Sequence, residues 1–128
     1  TPADYLARYD RHPRVTPNPS TWGDGGHLAR WVHPSTTWML RAVDESAERW
    51  RTSMASVPAR RQGLRELSLM AASDWPFLTR NDTAASYARA RVLDHRAALD
   101  AALDGAPIDD RARRYAWPDD GLLGAVVW

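Results

Sequence analysis

The stretch Leu69-Met70-Ala71-Ala72-Ser73-Asp74-Trp75-Pro76-Phe77 reads as the end of a long amphipathic helix. Leu67, Met70 and Ala71 precede Asp74 at helical spacing, so all four fall on one helical face. That places a carboxylate where a helix would normally bury an apolar side chain, a costly position unless the group is paired or hydrogen-bonded. Pro76 lacks a backbone donor and is expected to stop the helix. The chain would then halt with an acid beside two aromatic rings, Trp75 and Phe77. A plain structural reading stands next to a functional one. Asp74 could bond backbone groups of the following turn, and the two rings could belong to the core.

Outward from this stretch the periodicity stays helical. A helix over about 58–75 has Leu64, Leu67 and Met70 facing inward. Before it, Ser35 caps a helix running to about Ala55, with Met39, Val43, Ala47, Trp50 and Met54 as its apolar stripe. Glu45 and Arg49 form an i,i+4 pair on its solvated side. After it, Asn81-Asp82-Thr83 make a turn and cap. A further helix spans about Ala84–Leu103, closed by Gly105. Its buried face reads Ala85, Ala88, Val92, His95, Leu99 and Leu103, and His95 is read there as a satisfied core histidine. Thr1-Pro2 opens a short capped helix, and that start, with no initiator Met, suggests a piece of something longer. The tail from 106 onward, with Ile108, Tyr115, Trp117 and Trp128, could fold back on the bundle or lie against a neighbour. The expected fold is all-α: a helical bundle of three long helices plus a short N-terminal helix, forming one domain over 1–128.

Residues 10–34 interrupt the pattern. Pro13, Pro17, Pro19 and Pro34, with Gly23, Gly25 and Gly26, mark a long irregular loop. Loops this long are uncommon in small domains and often functional. The loop carries Trp22, His27, Trp31 and His33, so its two indoles could wall a cleft, or could simply pin an ordered loop. His27, His33 and Asp24 match no metal-ligand spacing.

Composition narrows the function. The 128 residues have a formal net charge of +1, which gives no electrostatic case for nucleic acid or an anionic membrane. There is no Cys, which excludes disulfides and thiolate metal sites. No apolar run approaches the length of a membrane span and no signal peptide opens the chain, so a cytoplasmic setting is expected. Seven Trp stand against one Phe. A core needing only bulk would use Leu or Phe, so the Trp content points to flat binding faces such as those that receive sugar rings.

Taken in order, Ser20-Thr21-Trp22-Gly23-x-Gly25-Gly26, Trp31, Pro34-x-x-x-Trp38, Ala72-Ser73-Asp74-Trp75-Pro76-Phe77 and Tyr87-Ala88 resemble the C-terminal helical domain of family 57 glycoside hydrolases, and within it the α-1,4-glucan branching enzymes. Thr1-Pro2-x-x-Tyr5-Leu6 resembles the segment that enters this domain. The resemblance covers about residues 1–103. It departs from the family pattern at Ala72, where Ser is usual, at Asn81-Asp82, and at His27.

The resemblance implies a larger enzyme with an N-terminal (β/α)7 barrel that carries a Glu nucleophile and an Asp acid/base. Retaining chemistry of that kind places the two carboxyls roughly 5 Å apart. The implied reaction cleaves an α-1,4 bond and transfers the glycosyl group to a 6-hydroxyl, making an α-1,6 branch. The barrel would precede residue 1, so this chain by itself would hold no catalytic residue and be inactive. Its part would be to complete the glucan cleft with Trp22 and Trp31 as stacking platforms and Asp74 and Trp75 as substrate contacts. Expected partners are an α-glucan donor and acceptor and the barrel itself, without cofactor or metal. Two alternatives remain at this stage: a 4-α-glucanotransferase or amylase of the same family, and a noncatalytic glucan-binding or interaction module.

Overall fold

A computed structural model describes residues 1–107 apart from Asp10, His12 and Trp22, with Asp24 described by its backbone alone. Among the described residues the elements are α1 (Pro2–Arg8), two 3-10 turns (Asp24–Gly26 and Leu28–Arg30), α2 (Thr37–Thr52), α3 (Val57–Met70), α4 (Asp74–Arg80) and α5 (Ala85–Leu103), with no strand. The expected all-α bundle is what forms. The tail from 106 onward, with Ile108, Tyr115, Trp117 and Trp128, lies almost wholly outside the described residues.

Helix α5 is the centre of the bundle. It packs along α3 and also meets α4 and α2. Ala88, Val92, His95, Leu99 and Ala102 are its buried positions, close to the face expected from its spacing, with Ala102 taking the place of Leu103. One core cluster joins Met39 and Ala42 of α2, Met70 of α3, and Ala88 and Val92 of α5, with Trp38, Trp75 and Leu78 packed against it. The end of α5 is closed as a Schellman motif: Gly105 adopts φ +87°, the Gly105 N–H donates to Ala102 O at 3.2 Å, and the Ala106 N–H donates to Ala101 O at 2.9 Å. Only a residue tolerant of the left-handed region fits there cheaply.

Helix α2 is shorter than its pattern. Thr36, not Ser35, is its N-cap, and Ser53 ends it. Met54 therefore falls beyond the helix and is 97% exposed, so it is not part of the apolar stripe. The reason is a reciprocal latch between α2 and α3. Trp50 Nε1 donates to Arg60 O at 2.8 Å, while the Arg60 guanidinium donates to Trp50 O at 2.9 Å and Ser53 O at 2.6 Å. These bonds satisfy carbonyls that a continuing helix would have used. The expected Glu45–Arg49 pair is also replaced by cross-helix partners. Glu45 accepts from Arg96 at 2.9 Å. Arg49 donates to Asp104 at 2.7 Å and to Asp100, and these two bonds raise the guanidinium pKa above its usual value. Each such surface pair contributes about 0–1 kcal/mol.

Helix α3 buries Ala59, Gln62, Gly63, Arg65, Glu66 and Met70, whereas Leu64 and Leu67 are only half-buried. Its inner face is thus small and polar. At Gly63 a Cβ would lie 3.2 Å from Trp50 Cδ1 and 3.3 Å from Leu103 Cδ2, so three helices converge on this glycine. Both contacts are side-chain atoms that can shift slightly. Gly63→Ala is therefore expected to be near neutral, because the helix propensity gain of about 1 kcal/mol offsets the crowding. Gly63→Val overpacks the junction and should cost about 1–3 kcal/mol. Equilibrium urea denaturation of both variants checks the contrast, and equal stabilities would show that the junction is loose.

The polar residues of this face form a buried chain. Gln62 Nε2 donates to Glu66 Oε1 at 3.0 Å. Glu66 Oε2 lies 2.6 Å from His95 Nδ1, and His95 Nε2 lies 2.7 Å from Arg91 Nη2. A guanidinium only donates, so Nε2 must accept and Nδ1–H must donate to Glu66. Glu66 and His95 are each 2% exposed. His95 is the satisfied core histidine expected from its place on α5.

Helix α3 stops at Met70, and Asp74 begins the separate helix α4. Asp74 is accordingly not on the apolar face of α3 but exposed in the first turn of α4. Pro76 does not end a helix here. It sits buried in that first turn, where its missing N–H would have had no intrahelical partner. The break is held by Trp75, whose Nε1 donates to Leu69 O at 2.7 Å, a carbonyl near the end of α3 that also accepts from the Ala72 N–H at 3.3 Å.

Candidate functional site

The irregular loop contains a tightly closed turn. The Thr21 N–H donates to Gly26 O at 3.1 Å. Thr21 Oγ1 donates to His27 O at 2.8 Å and accepts from the Gly23 N–H at 3.1 Å. A Cβ at Gly23 would stand 2.7 Å from His27 O and 3.0 Å from Trp31 Cζ3. The backbone is therefore folded onto the Trp31 indole, and any side chain at 23 would push the two apart.

Behind the turn, Thr36 fixes the loop to α2. It is fully buried; its Oγ1 donates to Trp31 O at 2.7 Å and accepts from the His33 N–H at 3.1 Å. The loop is also clamped to α4 at two points. The Trp31 and Phe77 rings lie 6.5 Å apart and tilted by 37°, and the Arg30 guanidinium donates to Asn81 Oδ1 at the C-cap of α4. Next to the clamp, His27, Ala29, Arg30 and Arg80 line a cavity of about 220 Å³, which offers several N–H donors.

Asp74 and Phe77 share a face of α4 at i,i+3. The half-buried Trp31 meets Phe77, and the exposed Asp74 stands one helical turn before that ring. The Asp74 carboxylate has no hydrogen bond or ion pair to any described residue, so it does not cap the backbone of the following turn. Trp75 is half-buried, with its N–H spent on Leu69 and its ring edge-on to Tyr87 at 6.0 Å and 73°. What it can offer a ligand is ring surface. Trp22 lies outside the described residues, so its relation to Trp31 is not described. Among the described residues, no three His, Asp or Glu are grouped to hold a metal ion. The clamp residues Arg30 and Thr36 had no signal in the sequence, and Asn81 stood there only as part of a turn and cap, because their roles depend on which loop meets which helix. Phe77 and Tyr87 stood in the quoted motifs without an assigned partner.

Residues 32–117 match the family model described as 1,4-alpha-glucan branching enzyme, C-terminal. The chain belongs to this family. Asp74, Trp75 and Phe77 fall inside the matched segment, and Trp31 falls one residue before it. Two similar proteins are named as probable 1,4-alpha-glucan branching enzymes of Mycobacterium tuberculosis, from strains CDC 1551 and H37Rv. Each is 32% identical over 127 residues, covering 84% of this chain and 24% of the relative. The chain thus spans about a quarter of the length of these curated relatives. No helix among the described residues is long and apolar enough to cross a membrane.

Proposed function

We propose that this chain is the C-terminal helical part of an enzyme that makes α-1,6 branches in an α-1,4-glucan by a retaining, family 57 type of glycosyl transfer. The catalytic Glu and Asp reside in a barrel domain of the same enzyme, and the bundle completes the cleft that receives donor and acceptor chains in the cytoplasm. Family membership and the relatives' names support the reaction class. The observation that carries the role of this part is the exposed, uncommitted Asp74 carboxylate beside the Trp31–Phe77 aromatic pair. An indole ring receives the C–H face of a glucosyl unit, and a carboxylate accepts bonds from its hydroxyls.

Transfer in place of hydrolysis requires an acceptor hydroxyl to be positioned at the glycosyl-enzyme intermediate and water to be limited there. Trp31, the platform assigned to Trp22, Asp74 and the ring of Trp75 are the groups of this chain that would hold the acceptor or donor chain. The loop architecture suits this task. Thr21, Thr36 and the Arg30–Asn81 bond fix Trp31 before any ligand arrives, so little order has to be imposed on binding.

The test is to incubate the whole enzyme with linear amylose and count new α-1,6 linkages against new reducing ends by NMR. Branch points with few reducing ends are the expected result. Reducing ends alone would make the enzyme an amylase, and redistribution of α-1,4 chain lengths without branches would make it a 4-α-glucanotransferase. No change in either, with binding of amylose retained, would leave a noncatalytic glucan-binding module.

A further inference from the structure

A second surface stands apart from the Trp31–Asp74 neighbourhood. Pro34, Trp38, Arg41 and Glu45 line one wall of a groove of about 580 Å³, and Leu93 and Arg96 line the other. Pro34 precedes α2, and within that wall Trp38, Arg41 and Glu45 form a helical stripe of α2, recurring at three- and four-residue steps. From Trp38 to Glu45 it runs about 10 Å at 1.5 Å per residue. Glu45 and Arg96 meet across the groove at 2.9 Å, and the Arg89 guanidinium sits 4.9 Å over the Trp38 ring. Arg41 is exposed and has no partner among the described residues. Leu93 is 43% exposed. The groove therefore combines a half-buried indole, an open apolar side chain and planar charged groups along one edge.

We propose that this groove is a secondary glucan-binding site, which holds a run of glucosyl units away from the cleft and tethers the polymer to the enzyme. The inference rests on the reading of the enzyme as one that acts on α-glucan. Its own support is the chemistry of the lining. Arginine side chains only donate hydrogen bonds and the ionised carboxylate of Glu45 only accepts them. A hydroxyl does both, so a polyol can bond Arg41 and add bonds to the Glu45–Arg96 pair along one edge while its C–H faces lie on Leu93 and the open edge of Trp38, whose ring face is taken by Arg89. A simple anion would meet the Glu45 charge in the groove, and an apolar peptide would bury the charged rim without partners. The volume lies in the range of sites for small ligands, which suits a short segment of a polymer.

The experiment is native gel electrophoresis of the whole enzyme through gels containing soluble amylopectin, with turnover of a short linear maltooligosaccharide measured in parallel. Two variants are compared with the parent. Trp38→Ala removes the apolar edge of the wall, but Trp38 also packs on the core cluster and its loss can loosen the fold. The double variant Arg41→Ala/Glu45→Ala changes only exposed side chains and keeps the test decisive. Retention of the double variant by amylopectin is expected to weaken by about three- to tenfold, the effect of losing one ordinary hydrogen bond at a solvent-exposed site. Turnover of the short substrate should stay within about twofold of the parent.

Unchanged retention of the double variant would overturn the proposal. So would a double variant that melts earlier without altered retention, since the groove would then be covered by the rest of the enzyme. If the parent branches amylose and the variants bind amylopectin equally well, the secondary site fails alone. A parent that neither branches amylose nor is retained by amylopectin overturns the glucan reading as well.

Discussion

Glu66→Ala should weaken the α3–α5 pairing by about 3–5 kcal/mol, since two buried donors lose their acceptor at about 1–3 kcal/mol each. The substitution leaves the His95 Nδ1–H and the Gln62 amide without their shared acceptor in a region closed to water, and it opens a small void. Hydrogen exchange at the amides of α3 and α5 should accelerate by roughly two to four orders of magnitude, because these helices would open at far lower cost. His95→Ala should behave similarly, since it strands Glu66 and removes the ring that Arg91 donates to. The double replacement Glu66→Leu/His95→Leu should be milder than either single variant. It removes the polar requirement along with the bonds, and Arg91, which is only partly buried, can turn to solvent. If the double variant is the least stable of the three, the chain contributes through net attraction and not through the penalty of broken partners.

That same chain shows where a linear reading stops. The buried face of α5 was legible because Ala88, Val92, His95 and Leu99 recur at helical spacing and three of the four are apolar. The inner face of α3 was not, because its buried positions include Gln62, Arg65 and Glu66, which a hydrophobic pattern assigns to solvent. Glu66 is met inside by His95 of α5, and Gln62 is met in turn by Glu66. Leu64 and Leu67 looked like the core stripe and proved marginal.

Helix α4 was hidden by Pro76. A proline after a long helical pattern reads as a stop, and the stop is real, but it falls at Met70, not at Trp75. The intervening residues Ala71–Ser73 leave room for a new helix in which proline occupies the first turn. The aromatic motif itself was visible, with Trp31, Asp74, Trp75 and Phe77 all marked in the sequence. The pairing of Trp31 with Phe77 and of Trp75 with Tyr87 was not, since each joins elements distant in the chain. Thr36 illustrates the same limit: nothing local distinguishes it from Ser35 or Thr37, yet it alone is buried under the loop and bonded to Trp31.

Asp74→Asn in the whole enzyme should lower the rate of branch formation on amylose by roughly ten- to a hundredfold while leaving the fold almost untouched. The expected loss corresponds to a hydrogen bond from a sugar hydroxyl to a charged acceptor, about 1.5–3 kcal/mol. The separation of the two effects follows from the position of the side chain. Asp74 is exposed and bonds no described residue, so the amide breaks nothing within the bundle. Its remaining structural contribution is a negative charge in the first turn of α4, worth about 1 kcal/mol at most on a surface. Asp74→Glu makes the comparison sharper. It keeps the charge near the helix start but moves the carboxylate outward by one methylene, so it should retain stability and recover little activity. Normal kinetics in Asp74→Asn, with a small fall in melting temperature, would assign the residue to the helix end alone and shift the glucan contact to the Trp31–Phe77 rings. A rate loss accompanied by faster hydrogen exchange throughout α4 would instead mean that the charge positions Trp75 and Phe77, and the Glu variant should then restore the rate.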